Sequence, residues 1–150
     1  VHKKSLLKWM NLWPPFLGAG IKVRHLSPDL TSVHVEMKLR FWNRNYVGTH
    51  FGGSLFAMTD PFLMLMLLEN LGPDYMVWDK SATIHFRKPA KGTVHVYFNI
   101  QQEEIEQIRL LATTERKVEP QFQVQIQDGE GNEIAIVEKT LYVRKKYKTV

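Results

Sequence analysis

Alternation is the feature that most restricts this chain: several segments place apolar residues at every second position, and one segment alone is apolar enough to cover them. In QFQVQIQ, Phe122, Val124 and Ile126 share one face while four glutamines share the other, the pattern of a strand buried on one side. Ala82, Ile84 and Phe86 repeat it, as do Val94, Val96, Phe98 and Ile100. A sheet with one apolar face requires a cover. The candidate begins after Gly53, runs through PFLMLMLL at Pro61–Leu68 and closes at Gly72 and Pro73, where helices tend to end. The expectation is an α+β chain in which an antiparallel sheet wraps one long central helix.

The remaining elements fall into a simple order. IKVRHLS and TSVHVEMKLRF read as two strands separated by the turn residues Pro28 and Asp29. After GPDYM come VWDKSATIHFRKP, GTVHVYFNIQ and PQFQVQIQD, and DGEGN forms a hairpin turn into the last strand, NEIAIVEKTLYVRK. EEIEQIRLLATTERK carries Ile105, Ile108 and Ala112 on one side and suits a short surface helix. Near the start, Leu6, Met10 and Trp13 recur at helical spacing, which predicts an amphipathic helix ended by Pro14 and Pro15 and packed on the domain or, as the lesser alternative, lying on a membrane surface. With no internal repeat, residues 1–150 are expected to form a single domain, a length that supports one core.

Composition narrows the chemistry. The chain is 44% hydrophobic and 23% charged, as globular proteins are. It has no cysteine, which excludes disulfides, thiolate zinc sites and a Cys nucleophile, and fits a reducing, cytoplasmic setting. Lys8 and Asn11 interrupt the apolar start before a signal-peptide core of about 7–15 residues can form. PFLMLMLL falls short of the roughly 20 residues that cross a bilayer, so no integral membrane contact is expected. The net charge of +5 is spread out except in VRKKYK at Val143–Lys148, and no basic stripe with stacking aromatics points to nucleic acid. His34, His85 and His95 lie on strands without the spacing or cysteine partners that mark a metal site. DGEGNE lacks the sixth-position glycine of a calcium loop. Neither a metal nor a resident cofactor is expected.

Two stretches resemble a known family. NYVGTHFGGSLFAMTD resembles the N-x-x-G-T-x-H-G-G-x-L-x-A-x-x-D signature of hotdog-fold acyl-CoA thioesterases of the phenylacetate-pathway type, and ATIHFRKPAKGTV resembles that family's next landmark. Together they span Asn45 to Val94, and the outer strands agree in order and length. At the position of the family's His this chain has Phe51, with His50 one place earlier. GTHFGGSLFAMTDP is most similar to the less characterised tetrameric acyl-CoA thioesterase branch. The resemblance implies a hotdog fold, an acyl-CoA substrate whose coenzyme A is not a resident cofactor, and a homo-oligomer, either a dimer or a dimer of dimers.

The residues themselves leave two roles open for Asp60. A helix starting at Gly52 or Gly53 has unpaired N–H groups, and the Gly53 amide could hold an oxyanion. Asp60 lies seven residues on, about two turns and roughly 10 Å along the helix, too far for one subunit to combine the two easily. Two such helices packed antiparallel across a twofold axis would set Asp60 of one chain beside Gly53 of the other. There Asp60 would serve as general base or nucleophile. Alternatively Pro61 makes Asp60 the N-cap of a helix beginning at Pro61.

Around this pair, Asn45 supports the turn or the reacting group, and Thr49, Phe51, Gly52 and Ser54 are candidate substrate contacts. Ser54 is no nucleophile elbow, because the second flanking glycine is missing. In the resembling enzymes the positions of Arg87, Lys88 and Lys91 bind coenzyme A phosphates. Phe56, Met58 and Phe62 are expected to line an acyl tunnel. The leading reading is an acyl-CoA thioesterase. A non-catalytic acyl-CoA or lipid-binding module is the alternative, and a hydratase the weakest, since Gly52 stands where the dehydratase His-Phe-Pro motif has proline.

Overall fold

The computed structural model describes residues 3–147. Six strands, β1 (Ile21–Leu26), β2 (Ser32–Lys38), β3 (Tyr75–Phe86), β4 (Thr93–Asn99), β5 (Gln121–Asp128) and β6 (Glu133–Lys145), form one antiparallel sheet. Their order across the sheet is β1-β2-β4-β5-β6-β3. Inward positions match the sequence alternation: Val94, Val96, Phe98 and Ile100 are all buried, and so are Val124 and Ile126. The turn Asp128–Asn132 joins β5 to β6, its amides held by the Asp128 carboxylate. Lys148, the end of the basic tail, lies outside the described residues.

The anticipated single central helix is two, α3 (Gly52–Ala57) and α4 (Phe62–Leu71). The ladder is regular up to Met58, whose N–H reaches Ser54 O. Thr59 and Asp60 then turn back to Phe56 O and Ala57 O, each at 3.1 Å, a tightened last turn. Pro61 has no N–H to continue the ladder, and its ring disfavours helical geometry at Asp60. Together Gly52–Leu71 measures 20 residues, long and apolar enough to cross a membrane by length and composition, more than the eight-residue run suggested. Here its second half is core instead. Phe62, Leu63, Met66, Leu67 and Leu71 of α4 are buried beneath the sheet, and each such side chain stabilises the fold by about 1.5–3 kcal/mol.

Two further differences follow from tertiary context. The N-terminal helix α1 (Lys3–Leu12) stops before Pro14 as expected, yet Pro14 opens another helix, α2 (Pro14–Ala19), because proline is suited to a first helical turn. Met10 and Phe16 are buried, and Asn11 bonds both the N–H and the C=O of Val23, fastening α1 to the β1 edge. Secondly, β3 begins at Tyr75, earlier than expected, and its inward row is uneven: Ala82 and Ile84 are half-buried and Phe86 is exposed. As the terminal strand of the sheet, β3 has β6 on one side only. The surface helix α5 (Gln102–Thr114) buries Ile105, Ile108 and Ala112 as its periodicity requires and starts with a capping box between Gln101 and Glu104.

Candidate active site

The loop before α3 is built by Asn45 and Gly48. Gly48 has φ +81°, a left-handed conformation that favours glycine. Its N–H donates to Asn45 O at 3.0 Å. The Asn45 Oδ1 accepts from the N–H groups of Val47 and Thr49, and its Nδ2 donates to Thr49 Oγ1 and His50 O. Both ends of the Asn45 amide are therefore engaged inside the loop.

His50 ties this loop to the second motif. Its N–H donates to Ala90 O at 3.0 Å, and its ring Nε2–H donates to Gly92 O at 2.6 Å. That assignment leaves Nδ1 as an acceptor, buried and without a partner among the described residues. Burial pushes the imidazole below its ordinary range, with the Gly92 hydrogen bond opposing. Stretches some forty residues apart, about the second of which the first says nothing, thus meet through one ring and one amide.

Phe51 is the N-cap residue of α3 and supplies no side-chain cap, so the first N–H groups, at Gly52 and Gly53, have no hydrogen-bond partner among the described residues. Aromatic rings explain both glycines. A Cβ on Gly53 would stand 2.7 Å from the Phe51 ring, and one on Gly52 would stand 3.0 Å from the Phe86 ring. Phe51 and Phe86 are themselves exposed at 56% and 57%, an arrangement that leaves the glycine backbone reachable beside two uncovered rings.

Two hollows flank α3. One, of about 360 Å³, is lined by Asn45, Thr49, His50, Gly52, Arg87 and Lys88 among others. Arg87 is paired with Glu133 at 3.3 Å. The other, of about 290 Å³, is lined by Trp13, Pro15, Phe16, Gly53, Phe56, Ala57 and Asp60. Gly53 and Asp60 of a single chain therefore border one apolar hollow, in keeping with a seven-residue spacing that returns to the same helical face after about two turns. Phe56 lines this space, whereas Met58 and Phe62 are fully buried in the core, Phe62 between Phe16 and Phe98. Ser54 and Lys91 line neither hollow. A hollow of about 680 Å³ at the C-terminal end of α5 contains no motif residue.

The Asp60 side chain is exposed and has neither a hydrogen bond nor an ion pair among the described residues. No side chain caps α4, whose N-cap position is Pro61. What holds Asp60 in place is its backbone. Lys139 of β6, 2% exposed, donates from Nζ to Asp60 O and to Thr59 O, and pairs with Asp79 at 3.1 Å. Orphan carbonyls at the end of α3 are thereby satisfied by an ammonium group that faces the core. Sequence reasoning passed over Lys139, although it shares parity with Ala135, Val137, Leu141 and Val143, all buried. A lysine on the apolar side of a strand was the available signal.

The architecture is the hotdog fold, a six-stranded sheet around a 20-residue helical segment, and it matches solved structures closely. The Pseudomonas aeruginosa protein PA5026, described as of unknown function and a probable thioesterase, superposes with a TM-score of 0.86 at 22% identity, covering 97% of each chain. Thioesterase HI1161 from Haemophilus influenzae gives 0.69 at 14% identity, covering 97% of this chain and 92% of that one. The E. coli PaaI protein of the phenylacetic acid degradation operon gives 0.64 at 12%, covering 97% and 94%. At these identities the likeness establishes the fold. The chain belongs to the DUF4442 family, a domain of unknown function, whose model matches residues 3–143. No curated protein matches it.

Proposed function

We propose that the protein is an acyl-CoA thioesterase of the tetrameric acyl-CoA thioesterase branch, with Gly53 and Asp60 meeting on one hollow and a second copy of the chain completing the site over it. The observation that carries this reading is the placement of an unpartnered carboxylate, Asp60, on an apolar hollow shared with the free amide end at Gly53. An apolar hollow suits an acyl chain. Gly53, which lines this hollow, offers the N–H donor that an oxyanion forming at a thioester carbonyl requires. Asp60 then activates water, or attacks to give an anhydride that water cleaves. In either route the thiolate of coenzyme A leaves and a carboxylic acid is released.

Asn45 shapes the loop that presents the glycines. Thr49 borders the adjoining hollow beside Phe51, and Arg87 and Lys88 on the same hollow are the cationic pair for coenzyme A phosphates, whereas Ser54 and Lys91 lie outside both hollows. Assembly as a homodimer or dimer of dimers is supported by the uncovered rings of Phe51 and Phe86, by exposed Tyr46 and Val47 on the adjoining loop, and by the free edge of β3. A cytoplasmic location is part of the same proposal.

The test is a panel of acyl-CoA esters with free-thiol detection, run beside Asp60→Ala and sedimentation analysis. Hydrolysis by the wild type that Asp60→Ala abolishes in a folded oligomer supports the reading, and full activity in that variant ends it. Tight acyl-CoA binding with no turnover by the wild type would favour the non-catalytic binding module instead.

A further inference from the structure

The solvent face of the sheet carries a cluster that the linear spacing of histidines did not suggest. His34 and Glu36 are two apart on β2, hence on one face, and β2 pairs with β4 so that Glu36 lies opposite His95. One donor atom from each of the three residues falls within 4.8 Å of the others. His34 Nε2 and His95 Nδ1 are 3.0 Å apart. Bonds of about 2.0–2.1 Å from imidazole to zinc place neighbouring ligands roughly 3.3 Å apart in a tetrahedron, so a small shift of the rings accommodates an ion.

We propose that His34, Glu36 and His95 form a binding site for a divalent transition-metal ion of the zinc type on the outer face of the β2/β4 pair. Two imidazoles and one carboxylate suit zinc-like ions, not calcium or magnesium, which take oxygen sets. Both strands sit in the sheet interior with seven paired positions, so the ligands are held by rigid backbone. Tyr97 stacks on the His34 ring at 4.4 Å and fixes its plane.

Burial, and then the neighbouring His95, push His34 below its ordinary range. Burial would raise Glu36, but the hydrogen bond and charge of Arg24 outweigh it and hold the carboxylate ionised. Arg24 pairs with the Glu36 carboxylate at Oε1. Three protein ligands leave a fourth position open to solvent. This site stands apart from both hollows and does not depend on the thioesterase reading.

The experiment uses the full chain, free of any histidine tag and stripped with chelator, titrated with Zn²⁺ alone against a chromophoric competitor. One ion per chain is expected, with His34→Gln, Glu36→Gln and His95→Gln each weakening binding at least about tenfold and His85→Gln, on β3, changing it less than about twofold. Wild-type binding no tighter than that of the double variant His34→Gln/His95→Gln overturns the proposal, leaving a hydrogen-bonded imidazole pair. Should the variants lose their circular dichroism, the wild type decides: Zn²⁺ must shift the ring proton resonances of two histidines out of six, and a spectrum in which none moves overturns it equally.

Discussion

The two halves of the central helical segment do opposite work. In α4, Phe62, Leu63, Met66, Leu67 and Leu71 are buried, whereas α3 buries Leu55 alone and begins with two bare glycines. A continuous helix would have to hold one face toward the sheet along its whole length. The interruption at 58–61 frees α3 from that duty, so that its backbone amides and the carboxylate at the break border open space. Stability and the proposed chemistry are thereby assigned to different turns of one apolar stretch.

That division can be broken from either side. Phe62→Ala should cost about 3–5 kcal/mol of stability, since it empties a packed aromatic site between Phe16 and Phe98, and chemical denaturation will measure it. Lys139→Met tests the joint between the halves. It strips Thr59 O and Asp60 O of their donor and leaves Asp79 unpaired, for an expected loss of about 3 kcal/mol. A variant as stable as the wild type would mean that the joint holds without the ammonium group.

Smaller effects address the α3 side alone. Asp60→Asn should lower thioester turnover by about a hundredfold, or about 2.7 kcal/mol in the barrier, with an unchanged melting temperature because the side chain has no partner to lose. Gly53→Ala should cut turnover about tenfold while leaving stability level or slightly raised. Its methyl group displaces only the exposed Phe51 ring, and alanine favours the helix by about 0.5–1 kcal/mol. If Gly53→Ala unfolds the protein, α3 is core after all.

The smallest effect is a pH slope. The His50 pKa is lowered in the fold, so the unfolded chain takes up the proton first as pH drops below 6.5, and stability declines through that window and is intact above it. Arg87 and Lys88 are the charged groups lining the same hollow. His50→Gln should flatten the slope, as urea titrations between pH 5 and 7 will detect.

Much of this architecture is legible in the amino-acid sequence. Period-two runs such as Val94 to Ile100 identified strands because a one-sided sheet allows little else, and Ile105, Ile108 and Ala112 marked the buried face of α5. Legibility failed where the outcome depends on what sits opposite. Phe86 belongs to an inward row yet is exposed, its ring standing over Gly52 at the start of α3. His34, Glu36 and His95 look unrelated until β2 lies beside β4, with α3, α4 and β3 intervening in the chain. Pro61 announced a disturbance of the helix, but the Lys139 group that holds the Asp60 carbonyl comes from a strand 79 residues further along the chain.

The Lys139 ammonium group also makes β6 and the Asp60 peptide a mechanical unit. β6 is paired along its length with β3 on one side and β5 on the other, so a displacement of the sheet would be transmitted to the acid's main chain and would alter its aim. Substitutions along that strand, far from either hollow, are therefore a route to retuning the reactive face without touching it.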